Sequence, residues 1–467
     1  MILKSAKVYA EGLIHKGIIL ISNGIIKKII FNPKETQIKN LVEKNQDDKV
    51  IDCKDKLVLP GIIDIHSHLR DLDQCEKETF LSGTKAAAFS GITTVFNMPN
   101  TKPPAITADQ VKKWMKKAKN NIYIDVGFIA GVPKRIDKYE IKNIIDLGVL
   151  GFKLYPSTPL SEIDWCLSEN LQKILNISSE YQVPIFIHAA YPISDINKNN
   201  IYKEFTNKNY SKLELQDKLY STESEVRYVK FVIENYKKVI NNNKLNIERY
   251  PIVHFCHISC IESYLAIQKT LNSYENFKIS FEVTPHHLLL SNKMKIRNEN
   301  FGKVLPPLRD NKHSHFLFNE LKKGNIKLIA TDHAPHSLKE KSQKFLKAPS
   351  GFPGFETYPL LLIDKVMNSQ LPLDIFVKAS AENPTNMFNL ENKGFIREGY
   401  NADLYIVEKV SQSKINTKKF KTKAKYSPFE NYITSVKIWK VFLRGIEVNV
   451  EKFPPQGNII KKKLQIF

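Results

Sequence analysis

The sequence predicts an α/β fold, a (β/α)8 TIM-like barrel carrying a small flanking β-sandwich domain built from both termini. Three observations carry that expectation. Short apolar runs alternate with longer amphipathic stretches over roughly 320 residues, as a parallel sheet with crossover helices requires. Ionisable or polar residues recur at the ends of the apolar runs: His66, His68, Asn100, Lys153, His188, His257, Glu282 and Asp332. In a barrel all those ends meet on one face. Strand-like runs also appear at both ends of the chain, outside the alternating region.

In chain order, residues 8–10, 17–22 and 24–31 are apolar-rich runs punctuated by Gly and Asn and read as strands. Residues 33–49 are charged and read as a surface loop. Residues 58–65 form an apolar run interrupted only by Pro60, Gly61 and Asp64, a buried strand leading into His66-Ser67-His68. Further strands are expected at 93–96, 122–128, 151–154, 184–187, 252–255, 278–283 and 326–330. Helices are expected at 79–90, 107–119, 165–180, 223–239 and 260–271. Residues 195–220 are polar and read as a loop insertion, and strands return at 402–407 and 436–443. The expected domains are a composite β-sandwich of residues 1–55 and 394–467 and a metal-binding barrel of residues 56–393.

Composition narrows the function class. The chain has 467 residues, 42% of them hydrophobic, enough for a substantial core. No run of about 18 apolar residues suggests a membrane span, and residues 1–10 lack the pattern of a signal peptide, so the cytoplasm is the expected location. The five cysteines are scattered and form neither a disulfide framework nor a Cys-based zinc grouping. The net charge of +22 is spread over Lys- and Asn-rich segments. No nucleic-acid-binding signature accompanies it, so neither nucleic acid nor membrane is an expected partner. The charge still favours an anionic substrate.

Several residues carry candidate chemistry. Alternate strand residues point the same way, so His66 and His68 can face one metal; the bland alternative is two surface histidines. His188 and His257 end two other runs, whereas His254, three residues before His257, reads as structural. Lys153 is a solvated strand end, a Schiff-base lysine or, if desolvated, a carbamate able to bridge two metals. Asp332 can bind a metal and accept a proton from water, or simply cap a helix.

The chain resembles the dihydroorotases of the amidohydrolase superfamily. The matching stretches are residues 60–71 (PGIIDIHSHLRD), 91–101 (GITTVFNMPNT), 151–155 (GFKLY), 282–288 (EVTPHHL), 330–336 (ATDHAPH), 348–357 (APSGFPGFET) and 427–430 (SPFE). They span almost the whole chain, in the family's order. The resemblance implies reversible, zinc-dependent cyclisation of N-carbamoyl-L-aspartate to L-dihydroorotate in pyrimidine synthesis. It implies two Zn2+ ions: His66, His68 and Asp332 on one, His188 and His257 on the other, carboxylated Lys153 bridging both. Asp332 is the implied proton shuttle, and Arg70, Asn100 and His336 the implied substrate contacts. A guanidinium can hold a carboxylate with two parallel bonds, which separates this group from the related dihydropyrimidinases, hydantoinases and allantoinases. A homodimer, and association with aspartate transcarbamoylase, are the implied assemblies. Two departures stand out: Asp71-Leu72-Asp73 where the family often has Glu-Pro-Gly, and Leu305 where many relatives have Asn before Pro-Pro-Leu-Arg.

Overall fold

In a computed structural model, the described residues are all except 45–47, 208–209, 449–450, 452–453 and 463–467. A curled parallel sheet runs in chain order through Ile62–Ser67, Ile92–Asn97, Asp125–Gly131, Gly151–Leu154, Ile185–Ile187, Val253–Phe255 and Ile279–Phe281, with helices between the strands. These strands are almost continuously buried, as they must be when side chains fill one face and helices cover the other. Ile63, Ile65, Phe96, Ile129, Phe186 and Leu328 form an interior apolar cluster. A larger cluster, including Phe80, Trp114 and Phe128, packs between sheet and helices.

The expected strand at 326–330 does not form. The curl closes there instead through two isolated bridges, Val283 to Ile329 and Ser67 to His333. The reason is that neighbouring backbone groups turn to different partners. Ile329 N donates to Ala379 O (3.1 Å), Ala330 N to Val283 O (3.1 Å) and Thr331 N to the Asp64 carboxylate (3.0 Å). These three donors are satisfied without a ladder.

The helices match expectation to within a few residues. Those beginning at Phe80 and Ala108 start one residue after Thr79 and Thr107, because each threonine is the N-cap, its hydroxyl accepting from the backbone three residues on. Two expected loops are corrected. Within 33–49, Glu35–Lys44 is a helix with no buried residue, and 45–47 lie outside the described residues. Within 195–220, Asp195–Asn207 and Lys212–Leu219 are helices, and 208–209 lie outside the described residues. Buried Leu213, Leu215 and Leu219 give the second helix an apolar stripe that the polar composition obscured.

The second sheet joins both ends of the chain. Its order is Ile446–Glu447, Ile433–Leu443, Leu404–Lys414, Leu57–Pro60, Ile2–Ala10, Leu13–Ser22, Ile25–Phe31, and Val50–Asp52 pairs with Ile2–Ala10. Leu3, Val8, Ile19, Val58, Leu404 and Phe442 form its core. Leu57–Pro60 pairs with Leu404–Lys414, and Ile62–Ser67 follows two residues later in the curled sheet, so the step between the sheets lies at Gly61. A Cβ at Gly61 would sit 2.2 Å from the Thr93 hydroxyl, which leaves room only for glycine.

Candidate active site

The C-terminal ends of the parallel strands surround a cavity of about 560 Å³. Its lining includes His66, His68, Arg70, Asn100, His188, His257, Asp332 and His336. The structure thus brings together eight residues that the sequence spreads over 271 positions. Lys153 does not line the cavity. It is buried just behind, with Nζ 2.7 Å from Cys256 Sγ and 5.3 Å from the Tyr155 ring centroid.

Local backbone geometry aims several of these side chains. Arg70, His257 and Asp332 have φ of +55°, +37° and +46°. Non-glycine residues there carry on the order of 1–3 kcal/mol of strain each, tolerated where the surroundings enforce it. His68 N donates to His333 O (2.8 Å), which ties the residue after the first barrel strand to the closing segment.

Hydrogen bonds set the imidazoles in one orientation. His66 donates through Nδ1 to Glu282, and Glu282 also accepts from His254 Nε2 (3.0 Å) and His257 N (3.3 Å). His68 donates through Nδ1 to Asn100 Oδ1 (2.6 Å). The Nε2 atoms of His68 and His66 then face Asp332 Oδ1, at 3.0 and 3.5 Å. Opposite them, His188 Nδ1 lies 2.9 Å from His257 Nε2, while the buried His257 Nδ1 has no hydrogen-bond partner among the described residues.

The electrostatics follow from burial opposed by charge. Burial keeps His68 near 4 and His188 near 3, and drives His257 well below its ordinary value. Asp332 is also opposed by burial, but His66 and His68 hold its carboxyl well below the usual carboxylate range. For His66, burial and Lys153 oppose the charged ring; Cys256, Glu282 and Asp332 outweigh them and raise it to about 10.

These residues fit a metal. Ligand atoms of His66, His68 and Asp332 lie within 4.8 Å of one another, all three buried. A histidine whose second nitrogen is held by a carboxylate or amide oxygen is the usual form of a metal ligand. A second grouping, His66 with Cys256 and Glu282, meets the same distance criterion. It is the poorer site, because Glu282 already serves His66 and His254 and neither Cys256 nor Glu282 reaches the cavity.

Arg70 is 5% exposed. Its Nε donates to Pro335 O (3.3 Å), and Nη2 lies 3.4 Å from His336 Nε2. Asn100 has its carbonyl committed to His68, so only its amide N–H groups are left for a ligand. Leu305 lines the cavity wall, and Asp71 caps a short turn by accepting from Leu72 N (2.7 Å) and Phe80 N (2.8 Å). Sequence reasoning gave Glu282 no role, although an acid at the end of an apolar run was the available signal. Nothing in the sequence paired Cys256 with Lys153. His254 reaches Glu282 and Ser280, the supporting role expected of it.

The amidohydrolase family model matches residues 57–448. The chain is 34% identical to a dihydroorotase of Methanosphaera stadtmanae over 432 residues, 92% of each chain. It is 30% identical to a dihydroorotase of Methanosarcina mazei over 99% of this chain and 97% of the relative. Among solved structures, the L-hydantoinase (dihydropyrimidinase) of Arthrobacter aurescens superimposes with a TM-score of 0.83 at 22% identity, covering 99% of this chain and 97% of that one. A likeness at that identity speaks to the barrel and its flanking sheet. The family match and the relatives' near-complete overlap decide the rest: this chain belongs to the amidohydrolase family, as an enzyme hydrolysing cyclic amides.

Proposed function

We propose that this chain is a dihydroorotase of pyrimidine synthesis, interconverting N-carbamoyl-L-aspartate and L-dihydroorotate with two zinc ions. The observation that carries the substrate is Arg70: a buried guanidinium opening on the same cavity as the His66, His68 and Asp332 cluster. A cyclic amide without a free carboxylate would leave that charge unpaired, at a cost of several kcal/mol. The curated relatives named dihydroorotase support the same reading.

In this reading His66, His68 and Asp332 would hold one zinc and His188 and His257 the second, and Lys153, as its carbamate, would serve as a further ligand. The metal pair supplies Lewis acidity and a water that ionises near neutral pH. Arg70 pairs with the ring carboxylate and the Asn100 amide donates to it, which fixes the ring against the metal face. Asp332 stays ionised, so it can take the proton of the attacking water and pass it to the departing ring nitrogen. In the opposite direction Asp332 takes the proton from the carbamoyl nitrogen as the ring closes, and water leaves. His336, kept neutral by burial, lies beside Arg70 without competing for the carboxylate. The enzyme would work in the cytoplasm, as a homodimer or with aspartate transcarbamoylase; sedimentation of the purified chain, alone and mixed, tests the assembly.

The deciding assay compares L-dihydroorotate, dihydrouracil and hydantoin as substrates of the zinc-loaded protein. Dihydroorotate should have the highest kcat/KM, and Arg70→Ala should reduce it by roughly two orders of magnitude or more with zinc content unchanged. Faster turnover of either uncharged ring by the wild type would refute the substrate.

A further inference from the structure

Beyond His336 the chain makes a short helix, Leu338–Lys341, and returns to the cavity wall at Ser350 and Gly351. Lys341 is completely buried, yet among the described residues no carboxylate pairs with its amine. Its Nζ donates instead to two backbone carbonyls, Pro349 O at 3.0 Å and Gly351 O at 2.9 Å. The carbonyl between them, that of Ser350, is thereby left for another donor, and accepts from His336 Nε2 at 3.0 Å. Gly351 has φ +121°, and a Cβ there would lie 2.6 Å from Ala334 O, so the turn admits only glycine. Lys303 secures the preceding stretch in the same manner, through Ala348 O at 2.7 Å.

The consequence reaches the substrate side. With Nε2–H committed to Ser350 O, His336 must accept through Nδ1, and Lys77 Nζ lies 3.4 Å from that atom. The ring is neutral and fixed in plane, with Arg70 Nη2 only 3.4 Å away. Nη2 and the ring's Nε2 are both donors, so they meet as packed groups and not as a hydrogen bond; a pivot of the ring would crowd Arg70 or open a gap beside it. Burying an amine in order to hold two carbonyls is costly, and a turn that needed only closing could be held by an Asn or Ser side chain.

The geometry points to Lys341 as a positioning residue for the substrate's carboxylate: it fixes the Ser350 carbonyl, which fixes His336, which sets Arg70. This rests on the reading of Arg70 as the partner of the substrate's carboxylate. The experiment is steady-state kinetics of zinc-loaded Lys341→Met with L-dihydroorotate. KM should rise about tenfold, equivalent to ~1.4 kcal/mol of binding, with kcat within about threefold of wild type and zinc content unaltered. A purely structural lysine would lower the unfolding midpoint and leave KM alone; a folded Lys341→Met enzyme with wild-type KM overturns the inference, and so does a loss confined to kcat. Should the Met protein not fold, Lys341→Arg keeps the donors but displaces them. A several-fold rise in KM with kcat kept then supports the inference, and an unchanged KM overturns it. A wild type that does not turn over L-dihydroorotate sinks the substrate reading and this inference together, an outcome read from the unsubstituted enzyme alone.

Discussion

Replacing Glu282 with glutamine keeps the length and branching of the side chain and changes what it can accept. Glu282 is fully buried, and its two oxygens take His66 Nδ1–H, His254 Nε2–H and His257 N–H. A glutamine has one accepting oxygen and one NH2 group, so one histidine must face a donor with a donor. If that histidine is His66, the ring relieves the clash by moving its proton to Nε2, the atom that faces Asp332 and the cavity. The lone pair a metal needs is then lost. If it is His254, the carboxylate's charge is still gone, and His66 becomes a weaker base. Burial resists ionisation of Glu282, yet His66 and His254 hold it at about 2, so the native group is a full anion at neutral pH. Losing such a supporting carboxylate costs roughly 10- to 100-fold in metal affinity, or ~1.4–2.8 kcal/mol. The assay is zinc competition against a calibrated chelator, with metal content measured after dialysis. Glu282→Gln should release zinc at 10- to 100-fold lower chelator strength, and excess zinc should restore much of its activity. A variant that keeps wild-type zinc affinity and loses activity would refute the argument, because the role assigned to Glu282 acts through His66.

Two further perturbations probe the surroundings. Burial, with Arg70, Lys77 and Lys341 nearby, lowers His336 to about 3 despite the opposing pull of Glu340. The unfolded chain, with an ordinary value near 6.5, therefore binds the proton first as pH falls, and stability drops across the window from 6.5 towards 3. Between pH 7.5 and pH 5 this group should remove about 2 kcal/mol; urea unfolding of wild type and His336→Gln at both pH values should show the variant losing less, and equal losses would contradict the assignment. Arg309 is 3% exposed and bonds Asp217 (2.6 Å), Glu225 (3.2 Å) and Ser259 (2.9 Å). Arg309→Met should cost about 3–5 kcal/mol of stability by leaving Glu225 buried and unpaired, read as a lowered denaturant midpoint; a shift below 1 kcal/mol would mean that water or rearrangement compensates.

Residues 151–154 were legible to the residue because the run is short, wholly apolar around one lysine, and bounded by Gly and Pro. The closing segment at 326–333 was not. Its composition is that of a strand, but its hydrogen bonds are divided among Ala379, Val283 and Asp64, partners that only the closed sheet assembles. The insertion at 195–220 was obscured for another reason. Its helix Lys212–Leu219 is held partly by polar contacts, Gln216 to Val304 O and Asp217 to Arg309, which composition cannot distinguish from solvent-facing polarity. At the site, motif and strand-end position were enough to nominate every cavity-lining histidine. They could not reveal which nitrogen of each ring is free, because that depends on Glu282 and on the Asn100 carbonyl.

That last dependence has a consequence for how a barrel of this kind holds its reactive groups. His66 and His68 stand two residues apart, yet partners far apart in the sequence orient them: Glu282 secures the first, Asn100 the second, and Asp332 faces both. Arg70, two residues further on, is set by Pro335 and His336, which follow Asp332 in the same closing loop. The His66, His68 and Asp332 half of the cavity and the Arg70 and His336 half thus share two short segments, 66–70 and 332–336, joined by the hydrogen bond from His68 N to His333 O. A displacement of either segment moves both halves. Substitutions in the joint itself should therefore change metal affinity and KM together, whereas those at Glu282 or Lys341 should separate them.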